Sequence, residues 1–162
     1  MPINISVVSD FNFLAKGLTL YDSLMKHNDD IILHYLCFDD ESYDELSKHE
    51  CDNLIVYSDK PLHYDAVLRS LKENDRQYYS YALASVFSRY LMEVKNIDIT
   101  YIDSDIYFYD DIQIILDEIG SKDIGIFRHR QYPFNFPNDN GFFNVGVVHF
   151  KNTSLARSIL NW

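Results

Sequence analysis

The sequence predicts an α/β fold in which a mixed, mostly parallel β-sheet is flanked by helices. Short runs rich in β-branched and aromatic residues alternate with segments in which apolar residues recur every three or four positions. The opening strand–helix–strand–helix–strand order is typical of parallel strands joined by right-handed crossovers. The chain has 162 residues, of which 47% are hydrophobic, and this length favours one compact domain over two.

The first third of the chain supplies three predicted strands and two predicted helices. The strands lie at residues 3–9, 31–38 and 54–57. A helix is predicted between the first two strands, at residues 12–27, because Leu14, Leu18 and Tyr21 recur at helical spacing. A second, short helix is expected to begin in the acidic segment 39–42, since carboxylates favour the first turn of a helix.

The rest of the chain begins with a polar region, around Pro61 and residues 72–76, that is predicted to be loosely structured. The later predicted elements are a helix at 78–94, a strand at 97–102, a helix at 112–119 ended by Gly120, a strand at 124–127, a loop at 133–141, a strand at 143–150 and a helix from Leu155 capped within 152–154. This last helix has just begun when Trp162 is reached, so the chain is expected to be the front part of a longer protein.

The charge balance limits the classes of ligand. With 14 basic and 25 acidic residues the net charge is −11, which argues against a nucleic-acid binder. A phosphorylated ligand stays compatible with this charge if a divalent cation bridges the two negative partners.

Several further features predict a cytoplasmic location, with the inner face of the membrane as the alternative. The amino terminus lacks the features of a secretory signal, and no apolar stretch approaches the ~18 residues that a membrane span needs. Neither Cys37 nor Cys51 has a second ligand at metal-site spacing, and Cys37, in an apolar run, is predicted to be a buried, reduced thiol.

Two aspartates, Asp103 and Asp105, follow an apolar strand at its carboxyl end. Open α/β sheets bind their ligands at this edge. Residues two apart on an extended chain point the same way, so both carboxylates can converge on one Mg²⁺ or Mn²⁺ ion. The alternative is a solvated turn, because the Asp-x-Asp pattern is common by chance.

Three other segments carry candidate binding residues. Gly146 within a strand indicates close approach of a ligand or another backbone, and Asn144 offers a donor and an acceptor for sugar hydroxyls. Arg89, in an apolar helix, is either a snorkelling side chain or a clamp for phosphate and sugar. The residues at the end of the first strand could contact and stack a base, although a helix cap explains Asp10 or Asn12 equally well; they are Ser9, Asp10, Asn12 and Phe13.

Taken in chain order, these four segments resemble glycosyltransferase family 8 and its bacterial relatives. Particularly telling are Ser-Arg-Tyr-Leu-Met-Glu, Thr-Tyr-Ile-Asp-Ser-Asp-Ile-Tyr-Phe and Phe-Asn-Val-Gly-Val-Val-His-Phe-Lys-Asn. The resemblance runs over nearly the whole chain. It implies that residues 1–162 form a nucleotide-sugar-binding domain of the Rossmann-like GT-A fold, truncated at the carboxyl end. It also implies a UDP-sugar donor, Mn²⁺ or Mg²⁺ as the metal, a glycan acceptor, retention at the anomeric carbon and a part in polysaccharide synthesis.

The resemblance also implies roles for individual residues. Asp103 and Asp105 would hold the metal, with Ser104 between them beside the donor. Asp10 would accept from the uracil N3–H, with Ser9 and Asn12 nearby, and Phe13 would stack on the base, where tyrosine is frequent in the family. Arg89 would contact donor sugar or phosphate, and Asn144 with Gly146 would line the sugar pocket. The family's remaining metal ligand is a histidine far downstream, which His149 cannot match. His129 and Arg130 are interpreted as surface residues.

Two other functions compete with this one. A haloacid-dehalogenase-like phosphatase also places Asp-x-Asp at a strand end, but this chain has Tyr107 where a small hydroxyl residue or valine is expected. The other alternative is an inactive sugar-nucleotide-binding or interaction module.

Overall fold

The computed structural model describes residues 2–63, 65–129 and 142–161. Their strands are β1 (Ile3–Ser9), β2 (Ile31–Cys37), β3 (Leu54–Ser58), β4 (Ile99–Ile102), β5 (Ile124–Arg128) and β6 (Phe143–Phe150). Their α-helices are α1 (Leu14–His27), α2 (Asp40–Leu46), α3 (Ala66–Asn74), α4 (Arg76–Lys95), α5 (Gln113–Ile119) and α6 (Ser154–Leu160). No described helix is both long and apolar enough to span a bilayer.

The six strands form one sheet in the order β3-β2-β1-β4-β6-β5. Strand β1 pairs in parallel with β2 and with β4, and β2 pairs in parallel with β3. Strand β6 runs antiparallel to both of its neighbours, β4 and β5. The prediction of a mixed, mostly parallel sheet flanked by helices is therefore confirmed.

Helices cover both faces of the sheet. One buried cluster joins Val7 and Leu33 of the sheet to Leu20 of α1 and includes residues of α2 and α5. The other joins Val8 and Leu36 to α4 and includes residues of α3 and α6. Val7 and Val8 enter opposite clusters because successive side chains of a strand point to opposite faces. Both faces of the central strands are thus buried, which explains their near-continuous apolar character.

The structure differs from the predicted elements in two places. Residues 11–13 form a 3₁₀ turn in front of α1, because the Asp10 side chain accepts from the Phe13 amide and caps this turn. The region predicted as loosely structured contains α3, whose amino end is capped by Asp65. A further loop, predicted at 133–141, lies outside the described residues.

The sheet brings the carboxyl ends of three strands to one edge. Because β2, β1 and β4 are adjacent and parallel, the residues that follow them meet at the carboxyl edge of the sheet, each strand ~4.8 Å from the next. These residues are Asp39 after β2, Asp10 after β1 and Asp103 after β4. The fold therefore places three carboxylates in a row across this edge.

Candidate functional site

A cavity of about 560 Å³ opens at the carboxyl edge of the sheet. Six residues that the sequence predicts to bind donor or metal line it: Ser9, Asp10, Phe13, Asp103, Ser104 and Asp105. Four other predicted residues are not among the residues that line this cavity: Asn12, Arg89, Asn144 and Gly146. The cavity thus joins the segment after β1 to the segment after β4.

Asp103 has one engaged and one free carboxylate oxygen. Its Oδ1 accepts from the Tyr101 hydroxyl at 2.7 Å, and its backbone amide donates to the Gly146 carbonyl at 2.8 Å. No described residue donates a hydrogen bond to Oδ2. Burial raises the pKa of Asp103 and so does the neighbouring charge of Asp105, while the Tyr101 hydrogen bond lowers it. Asp103 is therefore a half-buried carboxylate whose charge the described residues leave partly uncompensated.

Asn144 and Gly146, both on β6, lie beside Asp103, although they do not line the cavity. The Gly146 amide donates to Asn144 Oδ1 at 2.7 Å. A Cβ on Gly146 would lie 3.0 Å from Asn144 Oδ1 and 3.1 Å from Asp103 Oδ2. Only glycine leaves the space between these two oxygens open, which agrees with the close approach that a glycine within a strand indicates.

Asp105 is exposed and weakly paired. Lys16 Nζ is 3.8 Å from Asp105 Oδ2, and both side chains are about half exposed. The same ammonium lies 4.2 Å from the centre of the Phe13 ring. Exposed pairs of this kind contribute little to stability, so Asp105 stays available to a stronger cation.

At the other side of the cavity Asp10 is buried, and both of its carboxylate oxygens accept hydrogen bonds. Its Oδ1 accepts from the Phe13 amide at 3.2 Å, and its Oδ2 accepts from Asn12 Nδ2 at 3.3 Å. Two nitrogens of Arg76 also donate to Oδ2, Nε at 3.2 Å and Nη2 at 2.8 Å. The neighbouring Ser9 hydroxyl lies 2.7 Å from the Tyr35 hydroxyl, so Ser9 is held in place as well.

Arg76 lines the cavity and was missed at the sequence level. It is the first residue of α4, at the end of the segment predicted to be loose, and its partners lie 66 and 37 positions earlier in the chain. No local pattern links residues at such separations. The one available signal was an arginine at the start of an aromatic-rich helix.

Arg89, the arginine singled out from the sequence, lies elsewhere. Its Nε donates to Glu93 Oε1 at 2.8 Å, one helical turn further along α4. This pairing at helical spacing matches the snorkelling alternative better than the clamp. Of the two residues interpreted as surface residues, His129 is half-buried and its amide donates to the Phe142 carbonyl, and Arg130 is outside the described residues.

The described residues can supply part of a metal site. They contain no group of three or more histidine, cysteine or acidic side chains placed to share an ion. They do contain two carboxylates at one strand end, a free Asp103 Oδ2 and the space that Gly146 keeps open beside it. Hard cations prefer oxygen ligands and accept substrate oxygens in the remaining positions, so this pair fits a cation completed by a ligand.

No protein-family model matches the chain. The chain is 23% identical to an uncharacterized protein, YfnF of Bacillus subtilis (strain 168), in an alignment covering 92% of the chain and 52% of that protein. The chain thus spans about half the length of this relative.

Several solved structures that resemble the chain are glycosyltransferases. Apo mouse xyloside xylosyltransferase 1 superposes with a TM-score of 0.66 at 17% identity, over 99% of this chain and 72% of that one. The galactosyltransferase LgtC, in complex with donor and acceptor sugar analogues, superposes with a TM-score of 0.62 at 15% identity, over 96% of this chain and 60% of that one. The chain has the α/β fold of the GT-A glycosyltransferases.

Proposed function

We propose that the chain is the donor-binding part of a metal-dependent glycosyltransferase that transfers a sugar from a UDP-sugar to a glycan acceptor, with retention at the anomeric carbon. The observation that supports this most is one cavity with two different walls. Asp103 and Asp105 form one wall and Asp10 with Phe13 forms the other. A nucleoside diphosphate has the same division, with an anionic diphosphate at one end and a planar base at the other.

The cavity has the size and composition of a small-molecule site. Its volume of about 560 Å³ lies within the range of roughly 300–1,000 Å³ that is usual for ligand pockets. It combines aromatic walls, Phe13 and Phe38, with a few convergent polar groups. It also lies at the carboxyl edge of the sheet, where open α/β folds bind nucleotides.

In this proposal Asp103 and Asp105 hold Mn²⁺ or Mg²⁺. A divalent cation there would neutralise charge on the departing diphosphate, acting as a Lewis acid. The chain's own contribution is to fix the two carboxylates: Tyr101 orients Asp103 through Oδ1, and Gly146 keeps Oδ2 accessible. The same cation resolves the charge conflict between a protein of net charge −11 and an anionic donor.

The other residues would bind and orient the donor. Phe13 is exposed enough to stack on a base, and Ser9, Asp10 and Asn12 surround that position. Ser104 lines the cavity between the two carboxylates. Asn144 Oδ1 accepts from the Gly146 amide, which leaves the amide nitrogen of Asn144 to donate to a sugar hydroxyl.

Arg89 keeps a place in the proposal through the resemblance alone. Its guanidinium would have to exchange Glu93 for a phosphate or sugar group before it could stabilise the departing diphosphate. The acceptor and the whole protein's activity belong to this proposal too, since the chain spans about half of its relative YfnF.

Titration calorimetry tests the donor site directly. We expect UDP to bind the wild-type chain with Mn²⁺ and at least tenfold more weakly in EDTA, because the ion bridges the carboxylates and the diphosphate. Asp105→Asn should abolish the metal-dependent part and leave the melting temperature within a few degrees. Asp22→Asn is the matched control, since Asp22 is exposed on α1 and does not line the cavity.

The outcomes separate the competing functions. Metal-dependent UDP binding that Asp105→Asn removes supports the donor site. UDP binding that is equal in Mn²⁺ and EDTA would sink the metal assignment. Absence of UDP binding under both conditions would favour the interaction module. Hydrolysis of a simple phosphate ester by the wild type would favour the phosphatase, whose Asp-x-Asp acts without a bound nucleotide sugar.

A further inference from the structure

Arg76 joins two carboxylates at the side of the cavity away from β4. Its Nη2 donates to Asp10 Oδ2 at 2.8 Å and to Asp39 Oδ2 at 2.9 Å. Its guanidinium carbon lies 5.1 Å from the centre of the Phe38 ring. We call Arg76, Asp10, Asp39 and Phe38 the Arg76 cluster.

The two carboxylates are themselves fixed by the backbone. Asp10 caps the 3₁₀ turn through the Phe13 amide. Asp39 caps α2 by accepting from the Ser42 amide at 2.9 Å, and it also accepts from the Phe11 amide at 3.1 Å. Because capping residues sit on rigid strand ends, the guanidinium that they hold is rigid as well. Arg76 is about half exposed, but an exposed arginine without such partners would lose much more side-chain entropy when it binds a ligand.

One edge of this guanidinium remains available. Nε and Nη2 make the three hydrogen bonds to the carboxylates, whereas Nη1 donates to none of the described residues. An arginine always carries its five N–H donors and never accepts, so the free edge is a pure donor. Arg76 also lines the cavity, so this edge is the part of the guanidinium left to a ligand there.

The position of the Arg76 cluster decides which part of a nucleotide it meets. Asp39 follows β2 and Asp10 follows β1, whereas Asp103 follows β4 on the opposite side of β1. With the diphosphate at Asp103 and Asp105, the base lies toward β1 and β2. The edge of a pyrimidine that is farthest from the ribose and diphosphate carries the group at position 4.

We propose that Arg76 is a specificity-determining residue that donates from Nη1 to O4 of uracil and thereby selects uracil over cytosine. The proposal rests on the proposed function and adds the chemistry of the base to it. Uracil presents a carbonyl oxygen at position 4, which accepts from a guanidinium. Cytosine presents an amino group there, so two donors would face each other and could not form a hydrogen bond.

This arrangement also changes the task of Asp10. Its Oδ2 is taken by Arg76 and Asn12, and one lone pair of Oδ1 by the Phe13 amide. The remaining lone pair of Oδ1 can accept from the uracil N3–H, as the resemblance implies. Asp10 and Arg76 together then offer an acceptor and a donor side by side, the reverse of the pattern that N3–H and O4 of uracil present. Cytosine has the opposite pattern at both atoms.

The wild-type chain already tests this proposal without any substitution. In titration calorimetry with Mn²⁺, we expect UDP to bind at least ~10-fold more tightly than CDP, which is the usual effect of one charge-assisted hydrogen bond. The diphosphate of 2-pyrimidinone riboside, whose ring lacks both O4 and the N3–H, should bind about as weakly as CDP. Equal binding of UDP and CDP would overturn the proposal.

Variants then assign the preference to Arg76. Arg76→Gln and Arg76→Lys should each weaken UDP ~10-fold and leave CDP within about twofold, so that the preference for uracil falls ~10-fold, to the part that Asp10 supplies. The lysine variant keeps the positive charge next to Asp10 and Asp39, which guards against a loss of folding. Arg157→Gln is the control, because Arg157 donates to Asn152 and does not line the cavity.

The pattern of lost affinity separates a failure of the uracil preference from a failure of the proposed function. An equal loss of UDP and CDP would show that Arg76 contacts the phosphates or only supports the fold, and it would overturn the selection of uracil. Tighter UDP binding in the variants would show that Arg76 obstructs the site, and it would overturn the proposal too. If the wild type binds UDP in Mn²⁺ and either of these results follows, the proposed function still stands. If the wild type does not bind UDP at all, both the proposed function and the role of Arg76 are wrong.

Discussion

The two sides of the cavity satisfy their charges in different ways. In the Arg76 cluster every carboxylate oxygen of Asp10 and Asp39 has a donor from within the protein. Asp103 and Asp105, the β4 carboxylates, have one free oxygen at Asp103 and a long, exposed contact between Asp105 and Lys16. The described residues satisfy the charges on one side and leave those on the other side partly unpaired.

The electrostatics of two aspartates show the same contrast. Burial alone would raise the pKa of Asp39, but hydrogen bonds from Ser42, the Phe11 amide and Arg76 outweigh it and hold that pKa below the ordinary value. At Asp103 burial and the charge of Asp105 prevail over the Tyr101 hydrogen bond, and the pKa is raised. The charge of Asp39 is therefore stabilising in the fold, whereas the charge of Asp103 is a cost that a ligand can remove.

The largest expected effect comes from removing the charge of Asp103. Asp103→Asn keeps the shape and the acceptor for Tyr101, so we expect Mn²⁺-dependent UDP affinity to fall ~100-fold or more while the melting temperature in EDTA stays the same or rises. Calorimetry of binding and of unfolding measures both. A melting temperature lowered by several degrees would show that the folded protein already compensates this charge, with Asp22→Asn as the control for the loss of one acidic residue.

A smaller effect is expected from filling the space beside Asp103. In Gly146→Ala the new methyl group would lie 3.0 Å from Asn144 Oδ1 and 3.1 Å from Asp103 Oδ2, so one of these oxygens must shift by a few tenths of an ångström. We expect ~10-fold weaker UDP binding in Mn²⁺ and little change in EDTA, because only a metal depends on that position. Val145→Ala, at the exposed neighbouring position, should change neither value.

For the Arg76 cluster, the measured quantity is the free energy of unfolding. Asp39→Asn keeps the helix cap but weakens the pairing with Arg76, so we expect a loss of about 1 kcal/mol in the free energy of unfolding at neutral pH. The folded pKa of Asp39 lies below its ordinary value of 3.8, so its charge stabilises the protein above that value, and this is lost as the pH falls through the folded pKa. The wild-type advantage should therefore shrink in urea titrations taken from pH 7 to below pH 3.8.

Asp40→Asn is the matched control for that pH dependence. Asp40 is next to Asp39 and pairs with Lys60 at 2.7 Å, but both side chains are well exposed. Such a pair contributes little, so the variant should stay within ~0.5 kcal/mol of the wild type at every pH. A wild-type advantage over Asp39→Asn that persisted unchanged in acid would mean that the charge of Asp39 does not carry the stabilisation.

How much the sequence predicts follows from how local each feature is. The strands and the carboxylates after β4 are predictable because an apolar run and the residues at its end are neighbours in the chain. Helix α3 was missed because polar and charged residues surround Leu68 and Leu71, although these two leucines recur at helical spacing. Arg89 was assigned by its apolar surroundings, although Glu93 at helical spacing was an equally visible partner. Arg76 was missed because its contacts are set by the packing of α4 against two strand ends.

The smallest expected effect tests how weakly Asp105 is held. Lys16 Nζ, 3.8 Å from Asp105 Oδ2, would compete with a metal ion for that carboxylate. We expect Lys16→Met to bind Mn²⁺ alone about two- to threefold more tightly at low ionic strength, and the gain to vanish in high salt, where exposed charges are screened. Electron paramagnetic resonance of free Mn²⁺ measures this affinity. Lys26→Met, an exposed substitution elsewhere on α1, should have no effect.

Lys16→Met can also show that the two sides of the cavity do not differ. If Lys16→Met bound Mn²⁺ more weakly, or if it lost more than ~1 kcal/mol of stability, the Lys16–Asp105 contact would be a structural pair like those of the Arg76 cluster. Asp105 would then count among the groups that the fold satisfies by itself. A tighter Mn²⁺ complex with unchanged stability would instead mean that Lys16 pairs with Asp105 only while no metal ion is bound. That result is expected if a ligand neutralises the charges on this side of the cavity.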